Sequence, residues 1–149
     1  TDVIIHQKKQ EAEKRHISFN ADFTYPAKQQ IDVYDIGIVL NNALKNAIEA
    51  SSKVEGEKSI YLCSYMKGNL FFIEVENDFS GELIIDSETG LPVSSKEDKQ
   101  LHGLGMENIQ RCAKKYRGDI DMTIRDVGDK KRFNLTIMMY KKYFTPQIS

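Results

Sequence analysis

The apolar positions fall into two alternating periods along the chain. From Asp35 to Ala50, residues Ile36, Val39, Leu40, Ala43, Leu44 and Ala47 recur at the spacing of a helix with one buried face. Asn42, Asn46 and Glu49, at i, i+4 and i+7, form a polar stripe on the other side. The pattern predicts a helix running to Ser51 or Ser52, with Asp32 and Asp35 suited to its positive N-terminal end and a polar turn over 53–58. A period of two takes over on either side. Ile17 to Phe23 alternates as a half-buried strand closed by Pro26. Ser59–Met66 and Leu70–Glu76 read as strands joined through Lys67-Gly68-Asn69, and Asp119–Arg125 and Arg132–Met139 as a second hairpin. Between the hairpins, helical spacing returns from the glycines after His102 to Tyr116 and is stopped by Gly118. Thr1 to about His16 favours a helix but is mostly too polar to bury deeply. Glu82 to Gln100 shows no sustained period, and the chain trails off from Tyr140.

This order predicts an α+β fold, a two-layer sandwich with a mixed, largely antiparallel sheet and helices on one face. The 149 residues are one domain's worth, divided into a helical leader over 1–16, a folded unit over 17–142 and a tail over 143–149. Charged residues make up 29% but the net charge is −1, so no basic field draws the chain to nucleic acid or an anionic membrane. No run approaches the roughly 18 apolar residues that span a bilayer. Because the sequence opens on Thr1, a longer parent protein is expected. Cys63 and Cys112 lack metal-ligand spacing and read as buried thiols of a reducing compartment.

The candidate chemistry sits in the asparagine stripe. Asn is a poor helix former, and a helix needing only solubility would use Glu, Lys or Gln. Two amides one turn apart offer oxygens to a metal ion and donors to phosphate. On helix physics alone, a solvated stripe explains the pattern equally well. Gly103 and Gly105, opening the second long helix, would leave N–H groups and a positive dipole end facing an anion. Taken alone, that pair is weak evidence of a site.

Together these residues resemble a known family. Asn42-x-x-x-Asn46-Ala47-x-Glu49-Ala50 is similar to the asparagine box of the GHKL superfamily, which includes gyrase, heat-shock chaperones, histidine kinases and MutL. The wording over 41–50, Asn-Asn-Ala-Leu-Lys-Asn-Ala-Ile-Glu-Ala, looks most like the sensor kinases of the AgrC and VirS type that answer peptide pheromones. His102-Gly103-Leu104-Gly105-Met106-Glu107-Asn108-Ile109 resembles the family's second glycine box, at a matching distance downstream.

The resemblance implies the ATP-binding catalytic domain of a bacterial quorum-sensing histidine kinase, with ATP and Mg²⁺ as cofactors and a lid over about 80–102. Asn46 would ligate Mg²⁺, with Asn42 orienting metal and phosphates. His102, Gly103, Leu104 and Gly105 would hold the phosphate tail, and Lys96 would approach it from the lid. Asn77 stands where the family usually has an Asp that accepts from the adenine amine, and the paired glycines after it are missing. An uncharged acceptor there would lower affinity by about 1 kcal/mol or more. GHKL members that hydrolyse ATP carry a glutamate base where Asn42 stands, so a kinase fits better. His6 and His16 lie outside any phosphoacceptor motif and read as ordinary surface or junction residues. The implied partners are a dimerisation and phosphoacceptor domain, whose hairpin helix would end in residues 1–16, and a response regulator. The implied whole protein is a homodimer with this domain on the cytoplasmic side of a cell membrane. The rival readings are a docking module with little or no nucleotide affinity, and an anti-sigma-type serine kinase.

Overall fold

The computed structural model describes residues 3–27, 30–80, 84–85, 87–88, 90, 92–93 and 102–142. The elements are α1 (Val3–Lys14), β1 (Ser18–Asp22), α2 (Val33–Ser52), β2 (Ser59–Lys67), β3 (Leu70–Phe79), β4 (Ile84–Ile85), β5 (Pro92–Val93), α3 (His102–Lys115), β6 (Asp119–Val127) and β7 (Lys130–Tyr140). Five strands form one sheet in the order β1-β2-β3-β7-β6, with β1 parallel to β2 and every other pair antiparallel. The fold is the α+β sandwich expected, with a mixed sheet and its helices on one face.

Alternation assigns the two faces of the sheet. On β3, Phe71, Ile73, Val75 and Asn77 are buried beneath the helices, while Phe72, Glu74, Glu76 and Asp78 point the other way. Ile60 and Leu62 on β2 and Leu135, Ile137 and Met139 on β7 complete the inner face. α2 lays Ile36, Val39, Leu40, Ala43, Leu44 and Ala47 against it, the stripe read from the sequence. Burying one such Leu or Ile side chain stabilises the fold by roughly 1.5–3 kcal/mol. α3 adds Met106, Ile109, Cys112 and Ala113. α1 inserts Ile5 and Ala12 and brings the Ile4 Cδ1 to 3.4 Å from where a Gly37 Cβ would lie.

Four details depart from the sequence reading. β3 continues to Phe79, so Asn77 lies inside a central strand instead of after its end. The unpatterned stretch after it contains two-residue strands, β4 and β5, paired with each other. α3 begins at His102, placing both glycines in its first turn and not ahead of it. Gly118 ends α3 by proximity: Arg117 takes the left-handed conformation (φ 59°), while a Cβ on Gly118 would lie 1.6 Å from the Met138 carbonyl oxygen. His16 takes the matching left-handed position after α1 (φ 59°), as the Ile17 N–H closes back on the Ala12 oxygen.

Candidate functional site

α2 starts where Asp32 caps it, its carboxylate accepting from the Tyr34 N–H at 2.9 Å. Two and a half to four turns further on, Asn42 and Asn46 emerge half-buried from the stripe beside the apolar face. Asn42 Nδ2 donates back along the helix to the Ile38 carbonyl at 2.8 Å, which leaves Oδ1 turned toward α3. There it meets Gly105. A Cβ built on Gly105 would lie 3.4 Å from Asn42 Oδ1, and 3.6 and 3.7 Å from Asn46 Nδ2 and Oδ1. The asparagine stripe and the glycine turn, far apart in sequence, therefore face each other across a gap that a side chain would occupy.

Asn77 is the polar residue in the apolar line of β3, 2% exposed, with Nδ2 donating to the Asp78 carbonyl at 2.8 Å. Its neighbour Asp78 faces away from the helices. The Asp78 carboxylate accepts from the Ser59 N–H at 2.6 Å and pairs with Arg132 at 3.2 Å, which ties β2, β3 and β7 together on the outer face. The two adjacent polar residues thus divide their roles: Asp78 staples the outer face, and Asn77 is presented to the helix layer.

His102, Gly103 and Leu104 lie in the first turn of α3 with Gly105. Lys96 lies outside the described residues. A groove of about 1230 Å³ runs along the α2–α3 seam from Asn42 and Asn108 to Val33 and Lys115, with Ile4 on its wall.

At the far end of that seam is a polar cluster that the sequence reading missed. Asp35, 7% exposed, accepts from the Tyr116 hydroxyl and pairs with Lys115 Nζ at 3.0 Å. The Tyr116 oxygen also accepts from the Asp32 N–H at 3.0 Å. Burial and the bond to Asp35 push the Tyr116 hydroxyl up to about 12. Burial alone would raise Asp35, but Tyr116, Lys115 and Lys142 outweigh it and hold its carboxyl below the ordinary value. The sequence pattern marks Asp35 only as a helix-start acid. The available signal was its place on the apolar face, one residue before Ile36, where an acid needs a partner.

Among the described residues, no group of three or more His, Cys, Asp or Glu is placed to hold a metal ion. The amide oxygens of Asn42 and Asn46 are hard donors, few in number. That suits Mg²⁺, which keeps several waters and takes its other ligands from substrate phosphates. Gly105, lacking a side chain, leaves the first turn of α3 uncovered beside the two amides.

The sequence profile of the GHKL domain family matches residues 31–140, and the chain belongs to that family. No curated protein sequence matches it significantly. Solved structures agree on the fold. The chain superposes on the catalytic domain of histidine kinase ThkA with a TM-score of 0.56 at 20% identity, covering 90% of this chain and 88% of that one. A histidine kinase from Burkholderia phymatum gives 0.65 at 14% identity, covering 93% and 66%. Histidine kinase AdeS of Acinetobacter baumannii gives 0.54 at 18% identity over 93% of this chain. The chain spans only 64% of the AdeS chain.

Proposed function

We propose that the chain is the ATP-binding catalytic domain of a sensor histidine kinase, nearest in kind to the AgrC and VirS peptide-pheromone receptors. The observation that carries this reading is the approach of Gly105 to Asn42 and Asn46. It sets two amides of one helix against the N-terminal turn of another, where unpaired backbone N–H groups favour an anion. Asn46 and Asn42 would hold Mg²⁺ and the phosphates. His102, Gly103, Leu104 and Gly105 would cradle the phosphate tail, with Lys96 approaching it. Asn77, its amide nitrogen engaged by Asp78, would offer its oxygen to the adenine amine. When bound, Mg²⁺ would neutralise charge on the phosphates, and the protein's part is to position them for transfer. The acceptor would be a histidine on a dimerisation domain of the same kinase, serving a response regulator. The whole protein would be a membrane-anchored homodimer. Among the described residues, no helix is long and apolar enough to cross a membrane.

The test is calorimetric titration with ATP and ADP, with and without Mg²⁺, beside Asn46→Ala and Asn77→Ala. The expected affinity is micromolar or weaker, on the order of −6 to −8 kcal/mol. Asn46→Ala should abolish the benefit of Mg²⁺, and Asn77→Ala should weaken ATP and ADP alike. Absence of binding up to millimolar nucleotide would contradict the reading and leave a docking module in its place.

A further inference from the structure

The α2–α3 seam has a different character at each end. At one end stand Asn42, Asn46 and Gly105. Its middle is apolar, with Met106, Ile109, Cys112 and Ala113 packed toward the core beside α2. At the other end Tyr116, 3% exposed, shares its hydroxyl between the Asp32 N–H and the Asp35 carboxylate. The main chain of the same residue is fixed to the sheet, where the Tyr140 N–H donates to the Tyr116 carbonyl at 2.9 Å. Tyr116 therefore joins α3, the first turn of α2 and β7 at one point. Apolar packing alone is non-directional, and a helix held only by it can settle at several nearby tilts. A buried, fully satisfied polar network selects one of them.

We propose that Tyr116 is a positioning residue: its hydroxyl, bonded to Asp35 and Asp32, sets the tilt of α3 on α2 and so the gap between Gly105 and the two asparagines. The inference rests on the nucleotide reading given above. Gly105 lies eleven residues before Tyr116, roughly 16 Å along the helix at 1.5 Å per residue, so a tilt of about 4° at the tyrosine moves the glycine turn by about 1 Å. Errors of that size in a positioned phosphate are costly.

The experiment measures ATP affinity by calorimetry with and without Mg²⁺, and thermal unfolding, for the unmutated chain, Tyr116→Phe, Asp35→Ala and Asp35→Asn. All titrations are run at a temperature where circular dichroism shows each variant folded. Tyr116→Phe and Asp35→Ala should weaken Mg²⁺-ATP binding by about tenfold and shrink the benefit of Mg²⁺. Asp35→Asn removes the charge but keeps an oxygen to accept the tyrosine hydroxyl. It should rescue affinity to within about threefold of the unmutated chain, whatever its melting temperature. A purely structural tyrosine would lower melting temperatures and leave the affinities of the folded proteins equal. That result overturns the inference while the nucleotide reading stands. Should Tyr116→Phe not fold, the Asp35→Ala and Asp35→Asn pair decides: equal affinities overturn the inference and a split in the stated direction supports it. Failure of the unmutated chain to bind ATP overturns the nucleotide reading and the inference with it.

Discussion

Gly105 carries two opposed demands. Within a helix, glycine costs roughly 0.5–1 kcal/mol relative to alanine. An alanine methyl at this position would meet its neighbours at ordinary contact distances, 3.4 Å from Asn42 Oδ1 at the nearest. Gly105→Ala should therefore raise the melting temperature by a few degrees. The same methyl fills the gap facing the asparagines, so ATP affinity should fall by roughly tenfold or more. Calorimetry beside thermal unfolding separates the two effects, and a gain in stability without loss of binding would contradict the site. Tyr116 supports a second prediction through pH. Its hydroxyl is held protonated from the ordinary 10.0 up to about 12, so the folded chain keeps a proton that the unfolded chain releases. The resulting stabilisation is complete below about pH 10 and is lost as pH rises toward 12. Tyr65, raised to about 12 by burial and its bond to Glu74, adds a similar slope. Tyr116→Phe should flatten the alkaline loss of stability by about one proton's worth, leaving the Tyr65 share. Asp35 has the opposite sign. Its carboxyl is held below 3.8, so its contribution is present above that value and lost as pH falls through the lowered one. Chemical denaturation from pH 3 to 12 reads both limbs.

At the level of elements, the helices and hairpins are where their apolar periods put them, because each has one face against a single core. α2 illustrates this, with the buried stripe and the asparagine stripe both legible in the residues of 35–50. What local pattern does not carry is contact between distant elements. The Tyr116–Asp35 bond spans 81 residues: an acid on the apolar face of α2 calls for a partner, but nothing local names Tyr116 as that partner. β3 extends beyond its apolar alternation because both polar residues at its end are satisfied there, Asp78 through Ser59 and Arg132 and the Asn77 amide through the Asp78 carbonyl. The second glycine box was legible as a helix entry and, by resemblance, as a phosphate cradle, but its approach to Asn42 and Asn46 depends on how α3 packs on α2. Gly118 was legible as a stop for a different reason from the structural one. It is the point where the turn after α3 presses onto β7, and Gly118→Ala should cost about 3 kcal/mol or more in denaturant unfolding, since backbone and not a flexible side chain must move. A near-neutral result would mean the α3–β7 approach is looser than described.

For the whole molecule, the two faces of the sheet do different work. The outer face is a polar lattice in which Arg132 bonds Glu76 and Asp78, and Glu74 accepts from Asn134 and Thr136. The inner face is core until Asn77, where one buried amide points toward the helix layer. The proposed function sets a nucleotide against that amide, the α2 asparagines and the first turn of α3. Titration with Mg²⁺-ATP, followed by NMR of the asparagine side-chain amides and the backbone, tests it directly. Large shifts are expected of the Asn42, Asn46 and Asn77 side-chain signals and of the Gly105 amide, with Asn134 and the rest of the outer lattice unmoved. Shifts centred on the outer face, or none at all at millimolar nucleotide, would contradict it.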